Sequence, residues 1–499
     1  MNDAAIPLAP LSLAGDFAPA TREDWLKLVG KTLEGGDFDA RLVGRTIDGL
    51  TIQPLYTPDD RIGVAAPVGP RNPDQAWDIR AVCAHPDPIR AHADLLADLE
   101  GGAASVLLRI DPTGAGGVAI GSAAALAQVL DGVVLELAPV ALDAGFLGVQ
   151  AAEWLAAAAK SSPGALLAFH LDPLSALAES GASPGPIEAH LIAGANAGLR
   201  FAEIYPKASL FMASGRVVHE AGGGEAEELG VMAASAVAYA KALIRAGAPT
   251  AEAFSRITLG LSADSDYFLT IAKLRAARAI WARITTACEV ETPARIEARS
   301  SRRMLTRMDA WTNMLRLTAA GFGAAVGGAD AIVLGTFTDA LGSPTPFARR
   351  QARNAQIVLM DEAHLGRVAD PARGAWFIES LTDQLARAGW AAFQAIEAEG
   401  GIVAALASGS IAAQVARAAD ARRAAIAAGD QKIIGVTTFA NTQDPGIEVE
   451  TADGAAFAVQ APSPRMPGPD GRAAPLAPIR IAEPFEAAAA ARLEGRAPA

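Results

Sequence analysis

Cysteine is nearly absent: Cys83 and Cys288 are the two thiols in 499 residues. Two thiols so far apart build neither a disulfide framework nor a cysteine-rich metal site, and they point to a reducing, cytoplasmic setting. Histidine is scarce as well. His85, His92, His170, His190, His219 and His364 are six in number, and none falls in H-E-x-x-H or another metal-ligating spacing. Basic residues are outnumbered 42 to 55, for a net charge of −13. That balance excludes a nucleic-acid backbone or an anionic membrane surface as the main partner, though a local basic pocket for an acyl-CoA stays compatible with it. The N-terminus shows no basic segment followed by an apolar core, so no signal peptide is expected. The longest uncharged run, 112–130, is interrupted by Pro112, Gly114, Gly116, Gly117 and Gly121. It reads as a loop and a helix start, not a membrane span.

What is abundant is apolar: 51% of the chain is hydrophobic, against 19% charged. That supplies a sizeable core, for one large barrel with appendages or two to three ordinary domains. The clearest local pattern is 256–284, RITLGLSADSDYFLTIAKLRAARAIWARI. Ile257, Leu259 and Leu261 form one face of a short strand. Ser262, Asp264, Ser265 and Asp266 are good helix N-caps. Tyr267, Ile271, Leu274, Trp281 and Ile284 then recur at helical steps, while Ala272, Ala276 and Ala279 keep a second side small. A helix apolar on more than one side expects cover on more than one side.

Elsewhere, Thr21 caps a helix over 21–33, with Asp24 at the capping-box position. Residues 1–20 read as extended, and 41–80 as an irregular arm lying on another surface. From about residue 100, β-rich runs at 104–110, 132–138, 164–171, 208–214, 256–261, 294–299, 331–337 and 374–378 alternate with Ala-rich helices. Alternation of this kind means parallel sheet. Eight runs suggest a closed (β/α)8 TIM-type barrel with its chemistry at the strand C-terminal ends; a doubly wound open sheet is the competitor. The expected division is an N-terminal arm and helix over 1–100, a barrel over 101–400, and C-terminal helices with a Pro-rich tail over 401–499.

Several local motifs read blandly. Gly114, Gly116 and Gly117 miss the G-x-G-x-x-G spacing and suit a plain tight loop. Gly181-Ala-Ser183-Pro-Gly185 fits G-x-S-x-G, but a nucleophile elbow needs a strand directly before it, and here a helical segment precedes the serine and Pro184 and Pro186 flank it, so the match is chance. His170 falls within a strand as a satisfied core residue. His219 follows the strand ending near Ser214, at the active end of a barrel; a structural role is the default there. Arg349, Arg350, Arg353 and Asn354 read as a solvated face, or more sharply as a contact to a partner subunit.

Four segments carry a resemblance. IAKLRAARAIWARI at 271–284 is similar to the IAK-x-RAAR-x-LWA helix of the methylmalonyl-CoA mutase family. ATREDWLKLV at 20–29 with RTIDGLTIQPLYT at 45–57 resembles its N-terminal arm. GSPTPFARRQARNAQIVLMDE at 342–362 and DPARGAWFIESLTDQLA at 370–386 resemble two further family segments. The likeness runs from about residue 17 to 439. Members of that family bind acyl-CoA in the barrel and cobalamin in a C-terminal flavodoxin-like domain, through the histidine of D-x-H-x-x-G. No histidine follows Phe439 here, so the resemblance implies that this chain has no cobalamin domain of its own.

The likeness also implies lost chemistry. The run matching W-T-I-R-Q-Y-A-G is Trp77-Asp78-Ile79-Arg80-Ala81-Val82-Cys83, with Val82 at the tyrosine. The run matching S-G-Y-H-x-x-E-A-G is Ser214-Gly215-Arg216-Val217-Val218-His219-Glu220-Ala221-Gly222, with Val217 at the carbonyl-binding histidine and Arg216 at the tyrosine. EARSSR at 297–302 stands where R-T-H-S-Q-T-S-G is expected. Valine neither donates a hydrogen bond nor moves a proton, and losing such a donor costs roughly a hundredfold or more in rate. The resemblance is therefore to the non-catalytic small-subunit branch of the family. It implies no catalytic residue, with Arg216 and His219 as the remaining substrate-contact candidates. It also implies adenosylcobalamin carried by a partner chain, a heterodimer with a large catalytic subunit, and acyl-CoA bound through that partner or weakly. An active substrate-binding subunit with a separate cobalamin protein is the alternative, and an unrelated scaffold role is a third reading.

Overall fold

The computed structural model describes residues 18, 20–60, 62, 72, 75–440 and 446–493. Most of 1–20 and part of 41–80, read as extended and irregular, lie outside that set. The chain divides into two units, Met1–Tyr56 and Thr57–Ala499. In the first, Thr21 caps helix Arg22–Thr32 in the expected capping box with Asp24. A short helix, Phe38–Leu42, and an antiparallel pair, Gly44–Arg45 with Thr51–Ile52, follow. Trp25 meets Phe38 edge-on at 6.1 Å, yet no described residue of this unit is buried.

The second unit is built on a closed barrel of eight strands, every neighbouring pair parallel. In chain order they are β1 (Asp78–Cys83), β2 (Ser105–Arg109), β3 (Val140–Asp143), β4 (Leu167–Leu171), β5 (Ser209–Ser214), β6 (Ile257–Ala263), β7 (Ile296–Ser300) and β8 (Ala331–Val333). The ring closes β7-β8-β1-β2 and on to β6, so the open-sheet alternative falls. Six of the eight expected runs contain a barrel strand. Two do not. Residues 132–138 form turns just before β3, and 374–378 open a long helix. The strand at Asp78–Cys83, read above as the end of an irregular arm, is the first stave of the barrel.

The helices that matter below are α1 (Pro88–Glu100), α2 (Glu225–Arg245), α3 (Tyr267–Ala287), α4 (Asn313–Val326), α5 (Pro346–Ile357) and α6 (Trp376–Ala398). Asp266 caps α3, accepting from the Leu269 N–H at 3.1 Å, and Ile271, Leu274, Trp281 and Ile284 are buried as their spacing predicts. Arg275 of α3 donates to both carboxylate oxygens of Glu379 on α6, at 3.0 and 3.1 Å, and to Asp370 at 3.1 Å. Two of the segments that carried the resemblance are thus joined by a buried bidentate pair. A third behaves alike. Arg349 of α5 makes a bidentate pair with Asp94 of α1, both bonds 2.7 Å, and Arg353 donates to Asp98 at 2.7 Å. These two arginines, read as solvated or partner-facing, tie the helix after β8 to the helix after β1; Arg350 stays exposed.

Past the last helices the chain turns back along the strand C-terminal ends. Glu450 N–H donates to Ser343 O, Val459 to Pro112, Met466 to Pro184, Leu476 to Ala178, Ile479 to Glu220 and Ile481 to Arg303. Gly471–Arg472 pairs antiparallel with Ala182–Ser183. This strap runs along the βα loops in backbone register. It explains two glycine motifs. A Cβ on Gly114 would lie 2.3 Å from Gly454 O, and one on Gly185 2.4 Å from Met466 O. Ser183 donates to Gly185 O at 2.7 Å, a turn contact and not a nucleophile's.

Candidate functional site

Strand residues alternate between the helix layer and the barrel interior. In β1, Arg80 and Val82 face inward. Arg80 donates to Glu297 of β7 at 2.5 Å, to Asp78 at 2.5 Å and, through Nε, to Ser105 of β2 at 2.9 Å. Glu297 also accepts from Arg299 Nε at 2.6 Å, and Arg299 reaches on to Asp143 of β3 at 2.8 Å. The barrel axis thus holds a chain of alternating charge, Asp78–Arg80–Glu297–Arg299–Asp143. Burial pushes the Glu297 carboxyl up, but Arg299 and Arg80 outweigh it and hold it below the usual carboxylate range. Burial likewise opposes ionisation of Asp143, and Arg299 with Arg109 brings it down to about 2.

His170 of β4 stands beside this chain. It has φ +44, a side chain 2% exposed and Nδ1 3.9 Å from Glu297. Its Nδ1 has no hydrogen-bond partner among the described residues, so it is not the satisfied core histidine its strand position suggested. Burial keeps the ring neutral, lowering its pKa to about 3 against the pull of Glu297.

A cavity of about 470 Å³ opens at the strand C-terminal ends, and a second of about 580 Å³ at the opposite end. Arg80 lines both, so its pair with Glu297 stands between them. The mouth cavity has an apolar floor, where Val82 packs with Leu107, Ala141, Ala168 and Val333. Its walls carry Arg109, Arg216, Arg299 and Arg302, with Asp339 opposite.

Of the residues singled out in the sequence, Val82 and Arg216 line this cavity and Val217 does not; it is half-buried on the short helix Arg216–Glu220. Arg216 Nε is buried without a partner among the described residues. Burial, and the nearby Arg299, bring its pKa down to about 10. His219 turns away from the mouth and is wholly buried. Its Nε2 meets Ser301 Oγ at 2.9 Å and Asp264 at 3.2 Å, and its Nδ1 meets Glu228 at 3.3 Å. Glu228 also takes Lys273 of α3 at 2.5 Å, and Arg303 donates to Asp264 at 2.9 Å. This cluster bolts α2 and α3 to the ends of β6 and β7. One mouth residue escaped the sequence reading. His85, two residues past β1, lines the cavity, and its Nδ1 accepts the Asp87 N–H at 3.1 Å. A neutral ring in that bond carries its proton on Nε2. The signal available was its place just beyond a strand end.

Among the described residues no group of three His, Cys, Asp or Glu could hold a metal ion, and no single helix is long and apolar enough to cross a membrane. Residues 108–462 match the family model described as methylmalonyl-CoA mutase. The chain is 38% identical over 473 residues to a protein of Streptomyces virginiae named methylmalonyl-CoA mutase small subunit, covering 90% of this chain and 75% of that one. The small subunit of Propionibacterium freudenreichii subsp. shermanii is 38% identical over 421 residues, 79% of this chain and 64% of the relative. A protein of Cereibacter sphaeroides named methylmalonyl-CoA mutase is 28% identical over 469 residues, 87% of this chain and 66% of the relative.

Proposed function

Because this chain belongs to the methylmalonyl-CoA mutase family, we propose that it serves as the small subunit of such a mutase and contributes architecture instead of chemistry. Its complex interconverts methylmalonyl-CoA and succinyl-CoA. One observation carries this reading: the barrel axis is closed. A substrate threaded through the barrel would have to displace the Arg80–Glu297 pair, whose side chains are 8% and 1% exposed. Breaking such a pair one partner at a time costs about 3–5 kcal/mol. The mouth beyond it has an aliphatic floor at Val82, where no proton can be donated.

Adenosylcobalamin belongs, on this reading, to the partner chain. The residues here do not fit a corrinoid. The described cavities, about 440 to 630 Å³, are of drug-ligand size. His85, the one imidazole lining the mouth, already holds Asp87 N–H through Nδ1. Of the expected 1–100 arm, β1 and α1 belong to the barrel, and we assign the part before them, the unit Met1–Tyr56, to contact with the large catalytic subunit. The absence of any buried residue among the described part of 1–56 supports this, since a capped amphipathic helix without a core needs a foreign surface. The two distant cysteines suit a cytoplasmic complex.

His85 is the one observation favouring the second reading, an active substrate-binding subunit served by a separate cobalamin protein. The test is co-expression with a large mutase subunit, followed by turnover assays with added adenosylcobalamin. The expected result is a stable complex whose turnover is unchanged by His85→Ala here, and no turnover from this chain alone. Turnover from this chain with only a cobalamin-binding protein would replace the first reading by the second.

A further inference from the structure

The mouth cavity has more positive charge than its own walls neutralise. Arg349 and Arg353 are matched by Asp94 and Asp98, and Arg299 by Glu297 and Asp143. Arg109 has only a long contact, 3.6 Å, to an Asp143 already engaged. The side chains of Arg216 and Arg302 make no hydrogen bond or ion pair among the described residues, and Arg216 Nε is buried. Against these three guanidiniums stand Asp339, whose Oδ1 is taken by Thr336, and Glu220, whose Oε1 accepts the Arg302 N–H. A half-buried guanidinium whose Nε has lost water and gained no hydrogen bond is under-satisfied in an empty site, and it gains a charge-assisted hydrogen bond once an anion arrives. The floor below, Val82, Leu107 and Val333, offers an anion no polar partner, but it suits a short carbon chain.

We propose that this cavity binds a small free dicarboxylate, with its carboxylates on Arg216 inside and on Arg109 and Arg302 at the rim, and its methylenes on the apolar floor. His85 Nε2–H is placed to add a donor. The site is closed below by Arg80, which blocks the axial path for the long arm of a thioester, whereas a free acid needs no such path. In this the inference shares the closed axis with the proposed role, but it needs no partner subunit to hold.

The test is isothermal titration calorimetry on the full chain in low-chloride buffer with malonate, glutarate, butyrate, inorganic phosphate and butyryl-CoA. Saturable one-to-one binding of malonate or glutarate is expected, with butyrate and phosphate at least tenfold weaker. Arg216→Gln and Arg109→Gln should each weaken the dicarboxylate roughly tenfold or more, the worth of one charge-assisted hydrogen bond. Arg216→Gln should not lower the thermal midpoint of the free chain, because its guanidinium makes no hydrogen bond or ion pair among the described residues; a residue merely needed for folding would lower it. Should Arg216→Gln fail to fold, Arg109→Gln carries the test. No saturable binding of either diacid, binding indifferent to both substitutions, or phosphate bound as well as the diacids would overturn the proposal. Tight binding of butyryl-CoA would overturn the closed axis, and the architectural role with it, even if the diacids also bind.

Discussion

Removing Glu297 tests the closed axis directly. Its carboxylate is 1% exposed and accepts from Arg80 at 2.5 Å and from Arg299 at 2.6 Å. Glu297→Ala leaves two buried guanidiniums facing one another, each retaining a single carboxylate, Asp78 or Asp143. Stranding a buried charge costs about 3–5 kcal/mol. At about 2.1 cal/mol/K per residue, roughly 440 residues of the barrel unit give an unfolding entropy near 0.9 kcal/mol/K, so the thermal midpoint should fall by about 3–5 °C. The double variant Arg80→Met with Glu297→Leu replaces charge by volume. It should recover most of the loss or exceed the parent, since buried pairs rarely beat a well-packed apolar substitute. Differential scanning calorimetry at pH 7 on the three proteins gives the answer. A drop below about 1 °C for Glu297→Ala would mean that water reaches the pair, that the axis is open, and that the reasoning fails.

Two more outcomes follow from the same geometry. His170 is neutral while folded, with a pKa of about 3, but takes up a proton near 6.5 once unfolded. The unfolded state therefore binds more protons between those values, and stability falls as pH drops from 6.5 towards 3, by at most about 5 kcal/mol. His170→Asn should flatten that slope in urea titrations; an unchanged slope would assign the acid sensitivity to other groups. Gly114→Ala puts a methyl 2.3 Å from Gly454 O at φ +73. It should lift the strap and speed trypsin cleavage after the exposed Arg465, whereas Gly30→Ala, with nothing within 4 Å, should leave cleavage as it was.

The sequence showed best what is fixed locally. The unit over 256–284 combines a strand run, a cap and a small-faced helix within thirty residues, and the structure has it within three residues at each boundary. β1 was hidden for a physical reason. Its inward residues are Asp78, Arg80 and Val82, so the alternation that marks a strand is carried by charge in place of apolar side chains. The run at 374–378 misled in the opposite direction. Trp376, Phe377 and Ile378 suit a strand, but they open α6, where Ile378, Leu381, Leu385 and Phe393 are buried at helical steps. No local pattern could announce the Arg80–Glu297 pair, 217 residues apart. Nor could it announce the strap, whose contacts are backbone hydrogen bonds to loops and demand little of its side chains.

The charge order along the axis links the plug to the mouth. Asp78, Glu297 and Asp143 are three carboxylates against two guanidiniums, so the chain carries one excess negative charge. Asp143, at the end nearest the mouth, is where Arg109 and Arg299 converge. That field keeps Arg216 charged: its pKa is lowered only to about 10, with Asp143, Glu220 and Glu297 opposing burial and Arg299. At pH 7 it is a cation whose support comes from carboxylates beneath it, while its own nitrogens stay unbonded. An aliphatic plug would close the axis as well and more stably, but it would remove Glu297, one of the three carboxylates that support the guanidinium at the mouth. The ionic plug and the arginine-lined mouth are therefore electrostatically coupled, and replacing the plug by apolar residues should lower the Arg216 pKa further.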